Sequence, residues 1–153
     1  MFRVSQRVEV ALRALMELAA RSGTGFVPAR EIAASQGISL RFLEHQLATL
    51  HKAGIVESQR GASGGVALAR APEEVCVADV IEALEGPLVP MQCLEPHDDS
   101  CANSHRCGLQ ELWSRVEHAV VDVFTQTSLA DLIARHRALQ PLLWPAPLTS
   151  RNA

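Results

Sequence analysis

The chain of 153 residues is 48% hydrophobic and 20% charged, and its net charge at pH 7 is −3. This length corresponds to one ordinary domain that can bury a core without disulfide bonds. Charged residues interrupt the most apolar part of the N-terminus, which excludes a signal peptide and a membrane-spanning helix there. We therefore expect a cytoplasmic protein, whose four cysteines are free thiols or metal ligands in a reducing compartment.

The charge is unevenly distributed between the two halves of the chain. Residues 1 to 71 contain nine Lys and Arg against five Asp and Glu, a local charge of +4, whereas residues 72 to 153 carry −7. A phosphate backbone responds to the local positive face rather than to the average charge. The split is therefore compatible with DNA binding by the N-terminal half.

The first 54 residues predict three helices. Apolar residues at helical spacing indicate a first helix over residues 5 to 21. Pro28 opens a second, short helix, and Gly37 is its predicted left-handed C-cap. Ser39 is the N-cap candidate of a third helix that Gly54 stops, a helix-turn-helix arrangement. The predicted buried stripe of the third helix consists of Leu40, Leu43, Leu47 and Leu50.

A β-hairpin is predicted directly after these helices. Two strand candidates, residues 55–60 and 65–70, flank the glycine-rich turn Gly61-Ala62-Ser63-Gly64. Beside a recognition helix such a hairpin can contact DNA, and Arg60 and Arg70 add positive charge to it. The alternative is a hairpin that only covers the core, and we favour DNA contact. The fold class is therefore mostly α with a small β-hairpin wing: a winged helix-turn-helix domain over residues 1–86, followed by a long C-terminal dimerisation helix.

The third helix and the wing supply the candidate DNA-binding residues. Arg41 can donate two hydrogen bonds to guanine, Glu44 can accept one from cytosine, and Lys52 can neutralise a phosphate. Each residue taken singly is equally compatible with a solvated helix face, so the prediction depends on the helix-turn-helix context. The complete candidate set is Ser39, Arg41, Glu44, His45, Lys52, Arg60 and Gly64.

Three cysteines lie close together in a polar loop, residues 87–108. A fourth helix near residues 77–84 precedes this loop. Cys93, Cys101 and Cys107 are separated by seven and five residues, a density typical of metal ligands. An iron-sulfur cluster, a zinc ion and three free thiols are the alternatives that the spacing leaves open.

Other side chains near this loop have less specific predictions. His97 and His105 are local alternatives for a fourth ligand. Cys76 lies between two valines, before the loop, and is predicted to be a buried core thiol.

The C-terminal part predicts dimerisation, over residues 109–139. A long helix has one apolar seam, and Ser128 with Asp131 resembles a capping box that begins another helix. The alternative is a helix folded back on its own core. Dimerisation is favoured because two recognition helices can then bind the two half-sites of a palindrome. Prolines mark residues 140–153 as a flexible tail. The seam consists of Leu112, Val116, Ala119, Val120, Val123 and Phe124.

These motifs together resemble the Rrf2 family of winged-helix regulators, to which IscR and NsrR belong, over residues 1 to 137. The matching stretches are residues 9–15, 37–44 and 60–65, and the cysteine loop that continues into Leu112-Trp113. The resemblance implies a dimer on palindromic double-stranded promoter DNA, with repression the commoner behaviour. It also implies a 2Fe-2S or 4Fe-4S cluster bound by Cys93, Cys101 and Cys107.

The resemblance also bears on the fourth ligand. IscR-type members have a histidine three residues after the last cysteine, where this chain has Gln110, a poor iron ligand. NsrR-type members use an acidic residue of the first helix, contributed by the other subunit, and Glu9 occupies that position. The resemblance therefore implies Glu9 as the fourth ligand. The alternative for Glu9 is an exposed carboxylate paired with Arg13 at i,i+4.

We therefore predict a sensor of redox, nitric oxide or iron status, in which cluster binding changes operator affinity. The rival within the same fold uses zinc or thiol oxidation without a cluster. An enzyme is not expected, because the sequence has no nucleophile-base pair, phosphate loop or catalytic carboxylate constellation.

Overall fold

The computed structural model describes residues 4–61, 64–89, 94 and 107–143. These residues form a mostly helical fold with one antiparallel two-stranded hairpin, as the sequence predicts. Among the helices so described, none is long and apolar enough to cross a bilayer. The elements are α1 (Gln6–Ala20), α2 (Ala29–Gln36), α3 (Leu40–Lys52), β1 (Val56–Gln59), β2 (Gly65–Leu68), a 3-10 turn (Pro72–Glu74), α4 (Val77–Glu85), α5 (Gly108–Thr125) and α6 (Leu129–Leu143).

The helix-turn-helix unit forms with the predicted helix ends, although not every predicted capping contact is made. The Ser5 hydroxyl accepts a hydrogen bond from the Val8 amide at 3.3 Å and caps α1. Gly37 ends α2 with a φ of 63°, the left-handed conformation that glycine adopts without strain. Ser39 precedes α3 with extended backbone, but its side chain makes no capping hydrogen bond.

The buried face of α3 differs from the prediction at its first residue. Leu43 and Leu50 are 0% exposed and Leu47 is 5% exposed, as expected for a core stripe. Leu40 is 39% exposed. The buried stripe begins one turn later, at Leu43, because Ile38, which precedes the helix, packs against the core in place of Leu40.

The wing is joined to the helical core by backbone hydrogen bonds. β1 and β2 pair from Val56↔Leu68 to Gln59↔Gly65. Val66 of β2 also exchanges two 2.9 Å hydrogen bonds with Val27, just before α2. A side chain at Gly65 would overlap the Val27 carbonyl group, which explains why glycine stands there. The position of the wing relative to α2 and α3 is therefore fixed by the backbone.

The last two helices use their apolar residues differently. α6 packs on α1, and two of its apolar residues, Leu129 (0% exposed) and Ile133, are buried. The capping box is confirmed, since Asp131 accepts bonds from the Ser128 amide and hydroxyl at 2.9 and 2.5 Å. α5 contains no buried residue. Within the predicted seam only Phe124 packs against the core, so the remaining apolar residues of α5 lie outside it.

Two predictions are wrong, one for the burial of Cys76 and one for the C-terminal end of the last helix. Cys76 is half-buried rather than a core thiol, because it occupies the N-cap of α4 while its neighbours Val75 and Val77 point inward. α6 continues to Leu143, past the predicted start of the tail at residue 140. Pro141 lies within the last turn of α6, so the loss of its amide donor does not end the helix at the predicted boundary.

Candidate nucleic-acid interface and metal site

The candidate recognition residues of α3 share one exposed face. Arg41, Glu44, His45 and Lys52 are all exposed, and their spacings of three, four and seven residues place them side by side along the helix. Ser39 lies exposed at the start of the same helix. The arrangement offers hydrogen-bond donors and acceptors near the N-terminal end of α3 and positive charge near its C-terminal end.

The wing places Arg60 and Gly64 on either side of the hairpin turn. Arg60 is exposed directly after β1. The Gly64 amide donates to the Gly61 carbonyl at 3.0 Å, and a Cβ at Gly64 would lie 2.9 Å from that oxygen. Gly64 is therefore required to close the turn. Ala62 and Ser63, also part of the predicted wing tip, lie outside the described residues.

Gln46 is a functional candidate that the sequence analysis missed. It is 1% exposed, and its amide nitrogen donates to the Phe42 carbonyl at 3.2 Å. Its Oε1 accepts from Arg7 Nε of α1 at 3.4 Å, and its Nε2 lies 3.4 Å from the ring of His45. The available signal was its position three residues after Leu43 and four before Leu50. Gln46 thus connects the buried and exposed faces of α3.

Arg7 extends this contact to the end of α4. Its guanidinium lies 3.8 Å from Glu85, and Glu85 accepts a 2.7 Å hydrogen bond from the Ser5 hydroxyl. Glu85 is the last residue of α4, and the cysteine loop begins two residues later. The recognition helix and the start of that loop are therefore connected through side chains of α1.

The three cysteines of the candidate metal site are only partly described. Cys107 is a half-buried free thiol at the N-cap of α5. Cys93, Cys101, His97 and His105 lie outside the described residues. Over residues 4–61, 64–89, 94 and 107–143, no group of three or more ligating side chains comes together. Three thiolates with a carboxylate are nevertheless a donor set that suits an iron-sulfur cluster or zinc.

The two positions at which the compared family members place the fourth ligand hold Gln110, a poor iron ligand, and the candidate Glu9. Gln110 lies in the first turn of α5, close to Cys107. Glu9 is on α1, its side chain is 64% exposed, and the nearest positive charge is Arg13 at 3.8 Å. The predicted i,i+4 pair is thus present, and it is long enough and exposed enough to leave the carboxylate accessible.

Arg13 also contacts the helix-turn-helix turn. Its Nη2 donates to the backbone carbonyl of Gln36 at 2.6 Å, and its Nε donates to the Gln36 side chain at 3.2 Å. The Gln36 side chain in turn donates to Glu17 at 2.8 Å. Because Gln36 is the last residue of α2, Arg13 joins the carboxylate of Glu9 to the turn that precedes α3.

An uncovered apolar face runs along α5. Its exposed fractions range from 37% at Val116 to 61% at Val123. Spacings of three, four and seven residues place these side chains on one side of the helix, while Phe124 packs against the core. A contiguous apolar face on a helix without buried residues indicates a protein partner. Its members are Leu109, Leu112, Trp113, Val116 and Val123.

Comparison with known proteins shows which family this chain is similar to. The Rrf2 family, described as an iron-dependent transcriptional regulator, matches residues 4–135. CymR of Bacillus subtilis is 34% identical over 130 residues, 85% of this chain and 88% of the relative. NsrR of Bacillus licheniformis is 30% identical over 141 residues, 92% and 99%. IscR of Erwinia tasmaniensis is 31% identical over 137 residues, 90% and 82%.

Solved structures give the same result. The structure of CymR, the global cysteine regulator of B. subtilis, superposes with a TM-score of 0.74 at 33% identity, covering 88% of this chain and 98% of the other. IscR of T. potens also gives a TM-score of 0.74 at 33% identity, covering 91% of both chains. These relatives are transcriptional regulators rather than enzymes.

Proposed function

The chain belongs to the Rrf2 family of transcriptional regulators, and from this premise we propose that it is a homodimeric, cluster-dependent repressor. It binds palindromic promoter DNA and responds to redox, nitric oxide or iron status through an iron-sulfur cluster. The observation that carries the DNA-binding part is the exposed polar face of α3 beside Arg60 of the wing. The cluster part depends on Cys107, a free thiol at the junction of the cysteine loop and α5.

The homodimer follows from the apolar face of α5. A second copy would cover Leu112 and Val116 with the same residues, since a two-fold interface brings identical surfaces together. The same two-fold axis would present two α3 helices to two half-sites of a palindrome. The acidic C-terminal half of the chain would then lie away from the phosphates.

Each DNA contact has a role that its chemistry suggests. Arg41 would donate to a guanine edge, and Glu44 would accept from a cytosine amino group. Lys52 and Arg60 would pair with phosphates on either side of the groove that α3 enters. His45, held 3.4 Å from the buried Gln46, would present a ring nitrogen of fixed orientation.

Cys93, Cys101 and Cys107 would hold the cluster, and Glu9 of the partner subunit would provide the fourth ligand. When bound, the cluster supplies a redox-active group that reacts with oxygen and nitric oxide. An oxygen ligand suits this role because iron-sulfur sites prefer thiolate, so a carboxylate is readily displaced. The exposed carboxylate of Glu9 is free to reach another chain once it leaves Arg13.

Arg13 provides a physical link between cluster and operator. While Glu9 contacts Arg13, the guanidinium is shared between that carboxylate and Gln36. If Glu9 binds metal, Arg13 loses one partner next to the turn before α3. A change of this kind would have a coupling free energy of about 1 to 3 kcal/mol, or roughly a 5- to 150-fold change in DNA affinity.

A second candidate is the same regulator without a cluster, using zinc or thiol oxidation. It is favoured by the similarity to CymR, whose structure is described as that of a cysteine regulator and has also been solved in an oxidized form from Staphylococcus aureus. A half-buried free thiol such as Cys107 could be oxidised directly.

Anaerobic purification separates these candidates. Visible absorption and Mössbauer spectra should show an iron-sulfur cluster, and removing it should change affinity for an operator in fluorescence anisotropy. Cys107→Ser should abolish the colour, whereas the matched control Cys76→Ser should retain it. A colourless protein without iron after anaerobic reconstitution would refute the cluster and leave the DNA-binding regulator intact.

Glu9→Ala then tests the fourth ligand. We expect the variant to assemble a cluster that is lost several-fold faster in air. An unchanged rate of loss would assign the fourth position to another residue.

A further inference from the structure

Leu40 is a large apolar side chain exposed at the start of the recognition helix. It is 39% exposed, whereas Ile38 and Phe42 on either side of it pack against the core. Its surroundings on the helix surface are polar, because Ser39, Arg41 and Glu44 are exposed as well. Leu40 is not part of the hydrophobic core, so core packing does not explain why this position is apolar.

The place of Leu40 in the fold distinguishes it from an ordinary exposed leucine. It is the first residue of α3, and the N-terminal residues of a recognition helix are those that contact base edges. Glu44 follows it at i+4, so the two side chains are neighbours on the helix surface. An apolar side chain at this position would meet the floor of the major groove.

We propose that Leu40 is a specificity-determining residue that recognises a thymine by packing against its C5-methyl group. This inference rests on the proposed DNA-binding function. Thymine alone presents a methyl group in the major groove, and a leucine can neither donate nor accept a hydrogen bond to another base. Contact with the methyl group would remove apolar surface of both partners from water.

A protein partner is a poorer occupant of this position. The centres of protein interfaces are depleted in charged residues, whereas Leu40 is followed by the exposed charged residues Arg41 and Glu44. The apolar face of α5, with exposed fractions up to 61%, offers a far larger surface to a second copy of the chain. Charge beside a single apolar group instead matches a base edge carrying both polar atoms and a methyl group.

The test compares thymine with uracil, which differs only by the methyl group. A bound sequence is first selected from random DNA with the wild-type protein, and each thymine of a half-site is then replaced singly by uracil. We expect one symmetry-related position at which uracil lowers wild-type affinity about fourfold, the effect of one buried methyl group. At that position Leu40→Ala should lower affinity for thymine and remove the difference between thymine and uracil.

Two controls identify the source of the effect. Leu40→Met should retain the preference for thymine, and Val121→Ala, which changes an apolar residue of 38% exposure on α5, should leave it unchanged. Uracil without effect at every position, or an undiminished uracil effect in Leu40→Ala, would overturn the proposal for Leu40. A wild-type protein that selects no DNA would instead refute the proposed function itself.

Discussion

The helices α3 and α5 are both amphipathic, but only α3 has its apolar face covered by its own chain. Leu43 and Leu50 of α3 are 0% exposed, and what remains outside is polar and charged. α5 has no buried residue, and Leu109 and Val123 are 60% and 61% exposed. One chain therefore buries the apolar face of α3 but leaves apolar residues of α5, the longest of the described helices, exposed.

This difference predicts separate roles for two regions, the core around α1 to α4 and the exposed apolar face of α5. The core around α1 to α4 holds α3 and the wing in a fixed relation within one protomer. In the proposed dimer, contact between the two α5 helices would arrange two such units on DNA. Changes to α5 should consequently affect assembly without unfolding the chain, whereas changes at the wing or α3 should affect stability or DNA contact without affecting assembly.

Leu112→Asp should give the largest effect. A carboxylate in the centre of the α5 contact would be buried without a partner, so the dimer should dissociate. Operator affinity should then fall by about 100-fold or more, because two linked half-sites bind far more tightly than one. Analytical ultracentrifugation and fluorescence anisotropy measure the two results.

His118→Asp is the matched control, since it introduces the same charge on a polar, exposed part of α5. It should remain a dimer with wild-type affinity. A Leu112→Asp protein that stays dimeric would show that α5 is not the interface, and one that unfolds would contradict the separation of the two regions.

Gly65→Ala should affect the other region. The added methyl group would overlap the Val27 carbonyl and lie 2.8 Å from the Pro28 nitrogen, so the wing must move away from α2. We expect a loss of about 2 kcal/mol or more in the free energy of unfolding, measured by urea denaturation. Gly108→Ala, where no atom lies within 4 Å of the added carbon, should cost nothing. Equal stabilities of the two variants would show that the wing is not held by Val27.

Arg41→Ala should weaken DNA binding while leaving fold and dimer intact. The loss of a bidentate contact to guanine should cost about 1 to 3 kcal/mol at one base-pair position. Arg135→Ala, which changes another exposed arginine, on α6, is the control for the change in net charge. If both variants lose the same affinity at every operator sequence, Arg41 contributes only charge and reads no base.

The sequence predicts best where local signals act alone. Gly37, Ser39 and the Ser128–Asp131 capping box mark helix ends by short-range geometry, and the structure confirms these boundaries. The glycine-rich turn predicts the hairpin for the same reason. The prediction that Cys76 is buried is wrong, because flanking valines do not determine how a residue at a helix N-cap is oriented.

Tertiary neighbours account for the misses in the candidate site. The polar residue type of Gln46 predicts an exposed position, yet tertiary packing leaves it 1% exposed, and its side chain pairs with Phe42 and Arg7. Leu40 fits the apolar period of α3, yet Ile38 occupies the adjoining part of the core. The proposed relation of Cys107 to Glu9 would join two chains, so neither helical periodicity nor residue spacing can supply it.

The smallest effect concerns the capping box that joins α5 to the core-packed α6. The pKa of Asp131 lies below its ordinary value of 3.8, because the Ser128 hydroxyl and amide donate hydrogen bonds to its carboxylate. A lowered carboxyl pKa means that the ionised group favours the folded state above the unfolded pKa and loses this effect as the pH falls through the folded pKa. Asp131→Asn should therefore lower the melting temperature slightly at pH 7.

The pH dependence distinguishes this cause from a simple loss of packing. The difference in melting temperature between wild type and Asp131→Asn should shrink as the pH falls below about 4, because the wild-type carboxyl then also becomes neutral. Asp122→Asn, a change at an exposed carboxylate of α5, should melt like the wild type at every pH. A constant difference would mean that the shape of the Asp131 side chain, rather than its charge, holds the first turn of α6. Since α6 packs on α1 and follows α5 directly, a pH-dependent difference would show that the connection between the two regions is partly electrostatic.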